Sequence, residues 1–163
     1  MKNKHQQRFI FMSLVILCAL IIWSCYPKPV GIFGPDRKQL TWDEMNIDQR
    51  ITHMKNVVLP RASELFRTWQ PKRLDNMSCN LCHDTSSKTE NFNMPTGHLP
   101  RLSGEWTLGP EREKYPDTTK LKVDRLVPLM SDALGKKPFS IITRRGFGCY
   151  SCHFGPTGPM FGN

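Results

Sequence analysis

Four of the six cysteines fall in two identical frames, Cys79-Asn80-Leu81-Cys82-His83 and Cys149-Tyr150-Ser151-Cys152-His153. No other feature restricts the fold of this chain so tightly. Two C-x-x-C pairs can in principle make a tetrahedral zinc site, since four thiolates satisfy that ion. The 66 residues between the pairs are long for such a site, and zinc gives no reason for a histidine after each pair. A redox dithiol would sit among alternating strand and helix patterns. No such alternation surrounds either frame.

The C-x-x-C-H frame is that of covalent haem attachment. Two thiols add across the two vinyl groups on one edge of a porphyrin, and the next histidine offers its imidazole to the iron. The expected cofactors are therefore two haem c groups, bound through Cys79, Cys82, Cys149 and Cys152. His83 and His153 are the expected proximal ligands.

The N-terminus points to export. Lys2, Lys4 and Arg8 precede an apolar run from Phe9 to Trp23 that only Ser13 interrupts. Fifteen residues are short for a membrane span, which needs about 20, but match the apolar centre of a secretory signal. The stretch Leu20-Ile21-Ile22-Trp23-Ser24-Cys25 resembles a bacterial lipoprotein cleavage box, although Trp23 is bulky for that position. The expected organisation is a signal of lipoprotein type over 1–24, a tether over 25–40 and one domain over 41–163. Export to the periplasmic face and a lipid on Cys25 follow from it, with multiple acyl chains needed for firm anchoring. Cleavage before Cys25 leaves 139 residues and lowers the formal charge from +9 to +6.

The mature stretch is poor in aliphatic residues and rich in proline and glycine, so the polypeptide alone buries little apolar surface. The predicted fold is mainly α, with a few helices and long loops packed around two covalently bound haems. Asn46 and Gln49 form a capping box. Ile47, Ile51, Met54, Val58, Ala62, Leu65 and Trp69 then recur at helical spacing. Pro60 predicts a kink or two abutting helices. Residues 84–118 read as loop. A second helix is predicted from about Lys120 to Leu134 and ends at Gly135. Pro60 and Pro128 lie 68 residues apart, and Cys79 and Cys149 lie 70 apart. Duplication of one unit, or a repeated need to pack a helix on each haem, gives that pattern equally well.

On these motifs the chain resembles small exported bacterial dihaem cytochromes c. Matching stretches are the helix from Met54 to Phe66, the loop Phe92-Asn93-Met94-Pro95, and Gly146-Phe147-Gly148-Cys149. The resemblance implies a haem-centred, mostly helical fold and single-electron transfer. Met94 beside Pro95 resembles the distal methionine of mitochondrial-type cytochromes c. Met130 on the second helix is another candidate distal ligand, with a core role open to it. Met45, Met54, Met77, Met160, His53 and His98 complete the possibilities.

Lys72-Arg73 and Arg144-Arg145 stand shortly before the two motifs. Basic residues around a haem edge would steer acidic partners, although an ordinary solvated surface has the same composition. Expected partners are redox proteins, either acidic or part of a membrane respiratory complex, and the membrane itself through Cys25. Export excludes nucleic acid as a partner despite the basic balance. The expected function is electron transfer without a substrate site. The alternative is a small peroxidase-like dihaem enzyme with one open coordination position, for which the 84–118 loop is the one region able to build a pocket.

Overall fold

The computed structural model describes residues 4–23, 26–72, 74, 76–83 and 92–160. Cys25 and Arg73 lie outside these residues, as do residues 84–91. The described chain is mainly helical, with two short strands. The first helix, α1 (Lys4–Trp23), leaves its apolar side chains from Phe9 to Val15 exposed. Among the described residues no helix is long and apolar enough to cross a membrane.

Part of the stretch expected to be an extended tether is instead a hairpin. Strands β1 (Pro29–Phe33) and β2 (Gln39–Thr41) pair antiparallel, with Pro29 opposite Thr41 and Phe33 opposite Gln39. The prolines and glycines here mark a turn and a bulge rather than a continuous extended chain. Lys28 N–H donates to the Gly135 carbonyl at 2.9 Å, which fastens the hairpin's entry to a helix end. Gly135 has φ +60°, and a Cβ there would collide with the Lys28 carbonyl oxygen. Only glycine meets both demands.

Two helical arms form the body. The first comprises α2 (Ile47–His53), a π segment (Met54–Val58) and α3 (Leu59–Trp69). The predicted capping box opens it. The Asn46 side chain accepts from Gln49 N–H, and the Gln49 side chain accepts from Asn46 N–H, both at 2.9 Å. After α4 (Gly109–Lys114), the second arm comprises α5 (Pro116–Leu121), a π segment (Lys122–Leu126) and α6 (Val127–Ala133). Thus the stretch predicted as loop to residue 118 holds one helix and the start of another. Pro110 and Pro116 are the reason. In a first helical turn proline costs no hydrogen bond and presets φ, so it begins a helix there instead of breaking one.

The two π segments sit in the same register. Each lies just ahead of an arm's internal proline, Pro60 or Pro128. Proline cannot donate, and its ring would press on the carbonyl four residues back in a regular α-helix. The wider turn relieves this. Leu59 N–H reaches back to the Met54 carbonyl, and Val127 N–H to the Lys122 carbonyl, each five residues away. The repeat suspected in the sequence is therefore a repeat of backbone geometry.

The arms pack on one another. α3 meets α6 and the second π segment, and α6 meets the first π segment. Val58, Ala133 and Leu134 form the buried centre of this crossing, flanked by Trp42, Met54, Met130 and Phe147. Exposed ion pairs Arg61–Asp132 at 2.9 Å and Lys136–Asp43 at 2.7 Å add little. The core is sparse: among the described residues Ser131, at 1% exposure, is the one side chain fully enclosed. The accessible surface is 12034 Å², against about 8,300 Å² for a compact monomer of this mass. The exposed α1 contributes to that excess.

Replacing Asn46 by alanine removes the side-chain acceptor of the Gln49 N–H and leaves only the half of the capping box donated by the backbone N–H of residue 46. Urea denaturation should show a loss of about 1 kcal/mol with an unchanged dependence on denaturant.

Candidate functional site

The two C-x-x-C-H frames adopt the same local structure. Each begins with a single 3-10 turn, Cys79–Leu81 or Cys149–Ser151. In the first, Cys82 and His83 N–H groups both donate to the Cys79 carbonyl, at 3.2 and 2.9 Å. In the second, Cys152 and His153 do the same to Cys149, at 3.2 and 3.0 Å. The turn brings the histidine back over the first cysteine, so both thiols and the imidazole belong to one compact unit. None of the four cysteines is in a disulfide.

Residues 92–102 join the two units. Phe92 meets the His83 ring edge-on, with centroids 5.5 Å apart. His98 Nε2 donates to the Asn80 carbonyl at 2.9 Å. Further on, Thr96 N–H donates to the Cys152 carbonyl at 3.2 Å, and Leu102 N–H to the Phe154 carbonyl at 2.9 Å. His153 Nδ1 donates to the Pro100 carbonyl at 2.8 Å. A carbonyl can only accept, so this bond puts the proton on Nδ1 and leaves the Nε2 lone pair free. His83 is equally buried, at 8% exposure, yet its Nδ1 has no hydrogen-bond partner among the described residues.

Burial sets the electrostatics. It holds both imidazoles below the ordinary histidine pKa. The His98 charge reinforces this at His83, and the bond to Pro100 opposes it at His153. Both rings are therefore neutral at pH 7, the form that donates to a metal. Burial raises the Cys82 and Cys149 thiols and pushes Cys152 up to about 12, where the neighbouring Cys82 and Cys149 add to the effect. Reactive dithiols have depressed pKa values. These raised ones speak against dithiol exchange. Among the described residues no three His, Cys, Asp or Glu side chains group as metal ligands.

Lys122 opens the second π segment, and its cation acts on Cys82, Cys149, Cys152 and His153 together. Neither Lys122 nor Pro100 stood out in the sequence. Lys122 lies six residues before Pro128, where Met54 stands before Pro60, so the repeat was the one available signal. Nothing distinguishes the Pro100 carbonyl in advance.

The other named residues are dispersed. Met94 is half-buried in the loop between the two units. Met54 and Met130 pack against the small core. Met160 folds back over Gly155. His53, at 4% exposure, donates from Nε2 to the Ala133 carbonyl at 2.8 Å, across the arm crossing. That ring nitrogen already has a structural use. His53→Ala should strand the buried carbonyl and destabilise the fold by about 1–3 kcal/mol in chemical denaturation.

Searches against models of protein families, curated proteins and solved structures give no match.

Proposed function

We propose that this chain is an exported dihaem c-type cytochrome that transfers single electrons. The observation that carries the proposal is the pair of C-x-x-C-H turns with the same backbone hydrogen bonds, each ending in a buried, neutral histidine. Cys79 with Cys82, and Cys149 with Cys152, would each hold one haem by thioether bonds, with His83 and His153 as proximal ligands. The donor set fits the group. At His153 the tautomer fixed by Pro100 presents Nε2, and a hydrogen bond of this kind orients a ligating ring and raises its basicity. The thin core fits as well, since a buried porphyrin would supply the apolar mass that the polypeptide lacks.

Haem, when bound, supplies the one-electron couple. The protein's part is to fix and insulate it. The 92–102 loop ties the two turns together, to the first through the His98 side chain and the Phe92 ring and to the second through main-chain bonds. Lys122 places a cation beside both units, which favours the reduced, more negative state of a nearby redox centre. An apolar, poorly hydrated surround acts in the same direction by penalising net charge on an oxidised site. Export, a lipid on Cys25 and redox-protein partners at the basic rim complete the proposal.

Denatured protein should retain the mass of two haems, and the double variant Cys149→Ala, Cys152→Ala the mass of one. Two haems on that variant would end the dihaem assignment. Met94 serves as the first candidate for a distal ligand, because its loop touches both units. Met94→Ala should leave one iron high-spin and able to bind carbon monoxide, with the other unchanged. An unaltered spectrum would transfer the role to Met130 or Met54.

A further inference from the structure

Residues 137–147 form a projecting loop whose tip has an unusual composition. Phe139 N–H donates to the Phe147 carbonyl at 2.9 Å, and Phe147 N–H to the Lys137 carbonyl at 2.8 Å. Above them Ser140 N–H donates to the Arg145 carbonyl at 2.9 Å, and Arg144 N–H to the Ser140 carbonyl at 2.7 Å. Arg144 takes φ +54° and Gly146 φ +108° to complete the reversal. The base is braced. Phe139 stacks on Trp106 at 5.6 Å, the Arg144 guanidinium lies over the same indole at 5.4 Å, and Trp106 meets Tyr150 edge-on at 6.4 Å. Tyr150 belongs to the second C-x-x-C-H turn, so the tip is rigidly tied to that unit.

At the apex stand Ile141 and Ile142, 74% and 94% exposed. Ile142 is the most exposed large apolar side chain among the described residues. Turn positions favour glycine, proline, asparagine, aspartate and serine, each for a conformational reason. Two adjacent β-branched residues have none, and they cost solvation here. Arg144 and Arg145 follow them, both exposed, and Lys136 and Lys137 stand at the loop's base. We propose that the 140–145 turn is a docking tip for an anionic lipid bilayer, with Ile141 and Ile142 entering the acyl boundary and Arg144 and Arg145 meeting the phosphate headgroups.

The shape of the tip favours lipid over protein. A stable protein interface buries about 800 Å² on each partner, more than a six-residue turn can offer. A bilayer surrounds a narrow tip and accepts its apolar side chains without a complementary pocket. Charge complementarity fits both the arginine pair and the formal charge of +9. The proposal does not depend on what the cysteines hold. It would set the second C-x-x-C-H unit close to the membrane surface.

Trypsin provides the test, because its targets Arg144 and Arg145 lie within the tip. Full-length protein is mixed with vesicles of phosphatidylcholine alone, or of equal parts phosphatidylcholine and phosphatidylglycerol. Cleavage after Arg144 and Arg145 is followed by mass spectrometry. On the anionic vesicles it should slow roughly tenfold relative to the neutral ones, and molar salt should abolish the difference. The double variant Ile141→Ser, Ile142→Ser should lose the protection while being cut at the wild-type rate without vesicles. The exposure of both side chains makes misfolding of that variant easy to detect by an altered rate without lipid, and Ile142→Ser alone then gives the comparison. Equal cleavage on both lipids, or full protection of the serine variants, overturns the proposal. Protection by an acidic protein with none on vesicles overturns it too, and assigns the tip to a protein interface.

Discussion

The crossing of the two helical arms rests on a few small contacts. Val58, Ala133 and Leu134 meet at its centre, and His53 reaches across to the Ala133 carbonyl. Because that centre is small, position has to be held by other means. Gly135 binds the incoming hairpin, the Asn46–Gln49 box fixes where the first arm begins, and the 92–102 loop fastens the first cysteine-bearing turn through the His98 side chain and the second through main-chain bonds. Hydrogen bonds of this kind contribute modestly one by one, about 1 kcal/mol each. What they provide here is geometry. On the proposed function, these bonds would set the places of the haem-bearing turns without a preformed core.

The two C-x-x-C-H turns differ in their surroundings although their backbones match. His153 has a carbonyl partner that decides its tautomer and aims its ring. His83 has an aromatic ring against its edge and a buried nitrogen with no partner among the described residues. Lys122 lies near the second unit and near the second cysteine of the first. If each turn holds a haem as proposed, equal turns in unequal fields would give the two centres unequal affinities for an electron.

Short-range features were legible in the sequence. The capping box, the apolar stripe from Ile51 to Leu65, the stop at Gly135 and the interruption at Pro60 all depend on residues within a turn or two of one another. Ile47 departs from the stripe: it heads the helix and stands 60% exposed. Proline was read one way when it has two uses. Pro110 and Pro116 start helices, and the Pro29 region begins a strand, because the position of a proline in an element decides its effect. The bond from His153 to Pro100 spans 53 residues and involves a main-chain acceptor, so no side-chain pattern announces it. The same holds for Lys122, whose importance arises from which residues the arm crossing brings beside it.

The paired π segments bear on which way each part of an arm can face. A turn with one extra residue shifts the angular phase of everything beyond it by about 100°. The faces of α2 and α3, and those of α5 and α6, are thereby set independently of one another. None of these pieces exceeds 11 residues, too short to be stable as a free helix. Each arm is a continuous helical rod whose two parts meet at the π segment, close to where it crosses the other arm. Each part can therefore turn its own apolar face to a different neighbour.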